Sequence, residues 1–181
     1  SPYFTEVLNA GQRFRWKLKS HLIRHYTRRF ATAWVVQTDD VNQRLRRWIG
    51  SDRVSTVSNT IGRAFQVNID SPADNPSLRA KRASEFRLLL LSSYYRHKDL
   101  EILNSMIELM RERGVTDLQF VTTLSDSDFE KTIAAENRAW VENVGPVNPD
   151  DCPALYAASD ALFLPSLLEC FSANYVEAMA M

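Results

Sequence analysis

The sequence predicts an α/β protein whose second half forms a doubly wound parallel sheet, preceded by a basic helix. From Phe86 onward, short apolar runs alternate with amphipathic stretches, an order typical of a parallel sheet covered by helices. The run 86–93 is almost continuously apolar, as expected for a strand buried on both faces. The third observation is the segment 11–30, which carries seven Lys/Arg, no Asp/Glu, and apolar residues spaced four apart.

Composition excludes several classes of protein. The chain has 181 residues, 45% of them hydrophobic and 24% charged, which is typical of a globular protein with room for one domain, or for one domain and a fraction of another. No apolar run approaches 18 residues, and the first residues lack the basic leader and apolar core of a signal peptide. Cys152 and Cys170 have no CxxC spacing, so we expect two reduced thiols in a reducing compartment.

The net charge of zero hides an asymmetry along the chain. Residues 1–63 contain 12 Lys/Arg and 4 Asp/Glu, whereas residues 64–181 contain 10 and 18. The basic helix 11–30, with its apolar stripe and cationic flanks, fits an anionic membrane surface. It fits equally a helix that packs its stripe on the protein itself and exposes its charges. Nucleic acid is not expected as a partner, because no base-reading motif accompanies the charge.

After the basic helix the chain continues as strand, helix and strand. Residues 33–38 are predicted as a strand ending in Thr38, a helix-capping residue. Residues 39–49 follow as a helix with acids in its first turn and arginines in its last, and Gly50 ends it. Residues 53–59 are the second strand, and 69–84, rich in Pro, Asp, Asn and Ser, is the best linker candidate.

The second half alternates four strands with four helices. Strands are predicted over 86–93, 118–124, 140–145 and 161–165, and helices over 99–114, 125–137 and 149–159, with a last helix starting at 173. The helix 99–114 is the clearest, since its apolar residues share one face and Gly114 follows it. Such sheets bind ligands at the carboxyl ends of their strands, so we expect a site in the loops that follow them.

Two glutamates follow the last predicted strand. Glu169 precedes the final helix, and Glu177 lies one turn inside it. The amides from Cys170 to Ala173, at the start of that helix, form a ready phosphate site, and hydroxyl groups beside the phosphate would suit the carboxylates. A sugar and a ribose carry such hydroxyls. The alternative is that both glutamates are solvated surface acids.

Two cations follow the first strand of this half. Arg96 and Lys98 precede a helix, where they oppose the helix dipole but could neutralise phosphate; the alternative is a solvated basic turn. No HxxxH motif, Cys/His cluster or DxD motif is present, so no metal is expected. No Ser-His-Asp arrangement can be argued either.

Together the loops resemble the carboxyl-terminal domain of the retaining GT-B glycosyltransferases of group 1. The resemblance runs from about Trp34 to the end of the chain, and the predicted fold class becomes the Rossmann-like half of a GT-B fold. The matching positions are Gly145, Leu155-Tyr156, Ser159-Asp160, Pro165-Ser166, Glu169, Phe171 and Glu177-Ala178-Met179-Ala180. The most specific part is the pair of glutamates with seven residues between them, preceded by Pro-Ser and followed by Ala-Met.

The resemblance implies a site for a nucleoside-diphosphate sugar as substrate, with no cofactor and no metal. Glu169 would contact the transferred sugar and Lys98 would neutralise the leaving diphosphate, so these two are named as catalytic. We expect both side chains to be exposed. The other residues that would bind the donor are Glu177 on the ribose, Phe171, Ser172 and Ala173 through their amides, Ser93 and Arg96 near the diphosphate, and Gly145 and Pro146 on the base.

Besides Asn59-Thr60, which stands where the family has Asn-Gly, three positions depart from the family pattern. Ser93 stands where the family has an arginine, with Arg96 as its substitute, and Cys170 and Ser172 stand where it has glycines. Glycines at such positions can serve a positive φ or a close approach of the backbone. The departures favour a second interpretation, a non-catalytic nucleotide-sugar-binding or interaction domain on the same scaffold.

The resemblance also implies that the chain is a fragment. Residues 1–62 would be the end of an amino-terminal lobe and the segment joining two lobes, 63–84 a linker, and 85–181 an incomplete nucleotide-sugar-binding domain. The fragment alone is expected to be inactive, because the acceptor lobe would be missing. The acceptor would be an unidentified sugar or lipid-linked molecule of polysaccharide biosynthesis. The protein would be cytoplasmic and peripheral to the inner face of the membrane through 11–30.

Overall fold

The computed structural model describes residues 10–67, 78–167, 169 and 171–181, which divide into two compact units between Asn59 and Thr60. The first unit contains α1 (Ala10–Phe30), β1 (Trp34–Val36), α2 (Asp39–Ile49) and β2 (Val54–Thr56). The second contains α3 (Arg63–Val67), β3 (Phe86–Leu90), α4 (Ile102–Glu112), β4 (Leu118–Thr122), α5 (Asp126–Thr132), β5 (Val141–Asn143), α6 (Cys152–Ala157), β6 (Ala161–Leu162) and α7 (Ala173–Ala180). Short 3-10 helices lie at Arg96–Lys98, Ala135–Trp140 and Pro149–Asp151.

Three sequence predictions concern residues outside these ranges. They are the expectation about a signal peptide at the start of the chain, residues 68–77 of the predicted linker, and Cys170 with its amide. Within the described residues, no helix is both long and apolar enough to cross a membrane.

In the first unit, α2 connects two parallel strands. Trp34 of β1 lies opposite Val54 of β2, and α2 has the predicted bounds. Its ends are set locally, as the sequence predicted: Thr38 accepts a hydrogen bond from the amide of Val41 at 3.3 Å, and Gly50 adopts the left-handed conformation at φ 69°.

The basic helix is confirmed as α1, a helix of 21 residues without an acid in its first turn. Its apolar stripe is largely solvent-exposed within this unit: Leu22 is 46% exposed, Leu18 52% and Tyr26 58%. The rings of Tyr26 and Phe30 stack with their centroids 5.9 Å apart. The apolar stripe of α1 is therefore available to contact another surface.

The second unit is built on a four-stranded parallel sheet in the order β5-β4-β3-β6. Leu88 lies opposite Phe120 of β4 on one side of β3, and opposite Ala161 of β6 on the other. The chain therefore steps from β3 through β4 to β5 and then crosses back to place β6 on the far side of β3. This reversal creates a crevice between the carboxyl ends of β3 and β6, where sheets of this type bind ligands.

Helices cover both faces of the sheet. Successive residues of a strand point to opposite faces, so Leu90 packs on one face with Leu103 and Ile107 of α4, whereas Leu89 packs on the other with Leu155 of α6. Phe65 of α3 joins this second cluster and is 4% exposed, so the first residues of the segment 63–84 pack on the second unit. Burial on both faces explains the almost uninterrupted apolar sequence of β3.

Several elements are shorter than predicted. The strand predicted over 161–165 is only two residues long, since it pairs with β3 alone. The helix predicted over 125–137 ends at Thr132, because Ile133 turns into the core with extended backbone. The amide of Ala134 then donates to the side chain of Asn104 at 2.9 Å instead of continuing the helix.

A buried arginine interrupts the apolar strand β3. Arg87 is 2% exposed, and its Nε donates to Glu85 at 2.6 Å. Glu85 also contacts Arg79 at 2.7 Å, so its carboxylate faces more than one guanidinium. Burial raises the pKa of Glu85, but the arginine hydrogen bonds outweigh burial and lower it to about 2. Charge pairing is what allows these ions to be buried here.

Candidate functional site

Two loops that are hydrogen-bonded to each other follow β3 and β6 at the crevice between these strands. The loop after β3 ends in the 3-10 helix Arg96–Lys98, and the loop after β6 leads to α7. The amide of Leu167 donates to the carbonyl of His97 at 2.8 Å, which ties the two loops together. The side chain of Asn174, in the first turn of α7, donates to the carbonyl of Leu91 at 2.7 Å. These bonds hold the start of α7 at the carboxyl end of β3.

The structure brings Lys98 and Glu169 together as an ion pair across this crevice. The ammonium of Lys98 donates to Oε1 of Glu169, and the hydroxyl of Ser166 donates to the same oxygen at 3.1 Å. The side chains are 17% and 23% exposed, so the expectation that both would be exposed is wrong. Both side chains are half-buried where the two loops meet, which the sequence does not reveal.

Local backbone geometry places Lys98 at the crevice. Asp99, which follows it, adopts the left-handed conformation at φ 51° and ends the 3-10 helix. Aspartate tolerates this conformation better than most residues with a side chain. The turn thus needs no glycine.

Electrostatics keeps the carboxyl group of Glu169 charged. Burial raises its pKa, but the hydrogen bonds from Lys98 and Ser166 outweigh burial and hold the pKa below its ordinary value. The crevice therefore contains one fixed anion and one cation in contact. Each can act on a ligand after its partner is released.

Glu177 lies on α7 and has a buried partner of its own. The phenol of Tyr156, on α6, donates to Oε2 of Glu177 at 3.0 Å. Burial, and after it the charge of Glu177, raise the pKa of Tyr156 far above its ordinary value, so the phenol remains a donor. Burial, and then Glu177, raise the pKa of the free Cys152 thiol to about 11. No hydrogen bond or ion pair joins Glu177 to Lys98 or Glu169 within the described part of the chain.

The start of α7 has ordinary backbone geometry. Ser172 is the residue before the helix, with φ −97° and ψ 128°, and Ala173 is the first helical residue. Because φ at Ser172 is negative, a serine causes no backbone strain where the family has glycine. Ser172 is buried and Phe171 is half-buried, and both lie just ahead of the helix amides.

Four other predicted site residues follow strands of the same sheet, and among the described residues none of them forms a hydrogen bond or ion pair with Lys98 or Glu169. Ser93 and Arg96 are exposed in the loop after β3, and no hydrogen bond or ion pair joins Arg96 to Glu169 among the described residues. Gly145, at φ 77°, and the exposed Pro146 follow β5, two strands from β3. A base bound there would have to span the edge from β3 to β5.

Three residues of the site were not assigned a role from the sequence. Ser166 and Tyr156 were noted only as motif positions, yet each holds a predicted glutamate. Asn174 was not noted, and nothing in its sequence context indicates a bond to Leu91, 83 positions away. Among the residues that the structure describes, no group of three or more His, Cys, Asp or Glu could hold a metal ion.

Comparisons with known proteins agree with the fold. The family described as "Glycosyl transferases group 1" matches residues 85–181, more than half of the chain. The pneumococcal O-GlcNAc transferase GtfA, solved in complex with UDP and GlcNAc, is similar with a TM-score of 0.58 and 18% identity. The match covers 81% of this chain and 28% of the pneumococcal chain, and at this identity it shows the fold. No curated protein matches.

The predicted fold class is thereby confirmed as the Rossmann-like half of a GT-B fold, preceded by a basic helix. The strand order, the helices on both faces and the family match over 85–181 lead to the same assignment. The chain belongs to the group 1 glycosyltransferases.

Proposed function

We propose that this chain is the donor-binding half of a retaining glycosyltransferase, which moves a sugar from a nucleoside-diphosphate sugar to an acceptor. The observation that carries the proposal is the pair of Lys98 and Glu169 at the crevice between β3 and β6. Membership of the group 1 family supports it, as does the similar fold of the pneumococcal enzyme, which was solved with UDP and GlcNAc.

The proposed chemistry needs no nucleophile from the protein. The bond between C1 of the sugar and the diphosphate oxygen breaks, and its electron pair leaves with the diphosphate. The acceptor oxygen bonds to C1 from the same face, and its proton passes to an oxygen of the departing phosphate. Lys98 would stabilise the charge that develops on the diphosphate, and Glu169 would accept a hydrogen bond from a hydroxyl of the sugar.

The remaining residues would position the donor. Glu177 would accept hydrogen bonds from the ribose hydroxyls. The amides of Phe171, Ser172 and Ala173 would meet the sugar and diphosphate at the start of α7, with Ser93 and Arg96 beside the diphosphate and Gly145 and Pro146 against the base. The site needs neither a cofactor nor a metal, because Lys98 and the helix amides supply the positive potential.

Calorimetric titration of UDP, GDP and their sugar conjugates into the 181-residue chain tests donor binding. We expect at least one to bind, and Lys98→Ala to weaken it by about tenfold or more, because a charge-assisted contact to phosphate is lost. Lys131→Ala is the matched control, since Lys131 is an exposed lysine of α5. Failure of every nucleoside diphosphate to bind contradicts the proposal.

Sugar transfer itself separates an enzyme from a binding domain. In a protein that joins this chain to an acceptor lobe, Glu169→Ala and Lys98→Ala should each cost about 2–4 kcal/mol of transition-state stabilisation. The 181-residue chain alone should transfer no sugar, because positioning the acceptor supplies much of the catalysis. Turnover by the chain alone contradicts the two-lobe proposal.

The second candidate is a non-catalytic nucleotide-sugar-binding or interaction domain on the same scaffold. Two observations favour it: Ser93 replaces the family's arginine, and the charge of Lys98 is already neutralised by Glu169. Donor binding together with near-normal rates for both alanine variants would support this candidate.

A further proposal concerns the acceptor and the location of the protein. The basic helix α1 would lie on the anionic inner face of a membrane, where a lipid-linked or other sugar acceptor is presented to a cytoplasmic enzyme. Its seven Lys/Arg without an acid and its exposed apolar stripe support this partner. The rival is that the stripe packs on the rest of the protein.

A further inference from the structure

Tyr156 is the buried partner of a residue that the proposed function places on the ribose. Its phenol donates to Oε2 of Glu177 at 3.0 Å, although the two residues are 21 positions apart and lie on different helices. Tyr156 is 7% exposed, and its ring meets the ring of Phe65 edge-on with the centroids 5.5 Å apart. The phenol is therefore held in place by packing and can act as a fixed donor.

The helix directs Glu177 toward the crevice. Side chains of an α-helix tilt toward its amino terminus, so Glu177, one turn into α7, points back toward the start of the helix. Asn174 fixes that start against the carbonyl of Leu91, at the carboxyl end of β3. Glu177 follows Asn174 by three positions, so the two side chains share the face of α7 that meets this edge of the sheet.

One oxygen of Glu177 is used by the protein and the other is not. Oε2 accepts from Tyr156, whereas for Oε1 the structure records no hydrogen-bond partner among the residues it describes. A carboxylate can accept about four hydrogen bonds, so a ligand with two neighbouring hydroxyls finds acceptor sites here. The hydrogen bond from the phenol of Tyr156 restrains the rotation of the carboxylate.

We infer that Tyr156 is a positioning residue for ribose recognition: by holding Oε2 of Glu177, it orients the carboxylate toward the two ribose hydroxyls of a bound nucleotide. The inference rests on the proposed function, because it takes the ligand to be a nucleoside diphosphate. It adds a residue that acts through Glu177 and does not itself touch the ligand.

A comparison of ribose and dideoxyribose tests this role in the 181-residue chain. UDP and GDP are titrated by calorimetry beside their 2′,3′-dideoxy analogues, which lack the two hydroxyls. We expect Tyr156→Phe to weaken the ribonucleotide by about tenfold and to leave the dideoxy analogue unchanged, because only the ribose uses the oriented carboxylate. Tyr175→Phe is the matched control, since Tyr175 lies on α7 and is 48% exposed.

A second variant separates positioning from packing. Glu177→Gln should remove the preference for ribose by itself, and adding Tyr156→Phe to it should cause no further loss, because the two residues act as one unit. Equal weakening of both nucleotides by Tyr156→Phe, or an unchanged preference, overturns the role of Tyr156 alone. Absence of any nucleotide binding by the unmodified chain overturns the proposed function and this inference with it.

Discussion

Replacing Glu169 by glutamine should strengthen the binding of UDP or GDP. Lys98 is paired with Glu169 in the structure, so a diphosphate that binds the lysine must displace a carboxylate that also repels it. Glutamine keeps the size of the side chain and an oxygen that can accept from Lys98 and Ser166, but removes the negative charge. The cation is then available to the diphosphate.

The exposure of the pair sets the size of the effect. Ion pairs on a protein surface contribute about 0.2–1 kcal/mol, and hydrogen bonds to charged groups about 1.5–3 kcal/mol. The side chains of Lys98 and Glu169 are 17% and 23% exposed, which places the pair between these cases. We therefore expect Glu169→Gln to gain about 1.4 kcal/mol, equivalent to a tenfold tighter complex.

The assay is calorimetric titration of the nucleoside diphosphate into the 181-residue chain and three variants. Glu169→Gln should bind about tenfold tighter than the unmodified chain, and this gain should disappear when Lys98→Ala is also present. Glu112→Gln, on the exposed surface of α4, should leave the affinity unchanged. A gain that persists without Lys98, or a loss of affinity in Glu169→Gln, would refute the idea that the carboxylate competes for the lysine.

Three other predictions concern stability and the membrane. Because the pKa of Glu85 is lowered to about 2, its contribution to the free energy of unfolding is fully present above about pH 4.5 and is lost as the pH falls toward 2. Urea unfolding over this pH range should show the decline in stability, and the decline should be smaller in Glu85→Gln. Gly145→Ala should lower the free energy of unfolding by about 1 kcal/mol through its positive φ alone, since nothing lies within 4 Å of the added carbon. Gly62→Ala, whose added carbon would be in ordinary contact with Phe65 at 3.8 Å, should be nearly neutral in the same assay. The protein should co-sediment with anionic but not with neutral vesicles, and 1 M salt should release it because the Debye length then falls to about 3 Å. Equal, weak pelleting in all conditions would contradict membrane binding by α1.

Features that depend on neighbouring residues could be predicted from the sequence. The bounds of α2 follow from Thr38 and Gly50, which form hydrogen bonds within four residues of themselves. The buried face of α4 follows from helical periodicity: of its four predicted residues, Leu103, Ile107 and Met110 are buried, and Met106 is half-buried against the same cluster. Alternation of strands and helices was enough to predict a parallel sheet, because such a sheet needs a crossover between its strands.

Element ends were less predictable, because distant side chains decide them. The end of α5 depends on Asn104, whose side chain accepts the hydrogen bond from the amide of Ala134 in place of a helix carbonyl. The burial of Arg87 in an apolar strand was not predicted. It depends on hydrogen bonds to Glu85 and to the carbonyl of Arg79, which is 8 positions away. Capping and periodicity say nothing about such partners.

The sequence by itself determined the fold class, and its resemblance to the group 1 family singled out Lys98, Glu169 and Glu177 as candidate site residues. Only the tertiary structure decided that Lys98 and Glu169 meet, that Ser166 joins them, and that Tyr156 holds Glu177. The physical reason is sequence separation. Local hydrogen bonds and hydrophobic periodicity are encoded within a few residues, whereas the Lys98–Glu169 contact spans 71 positions and exists because the strand order puts β6 beside β3.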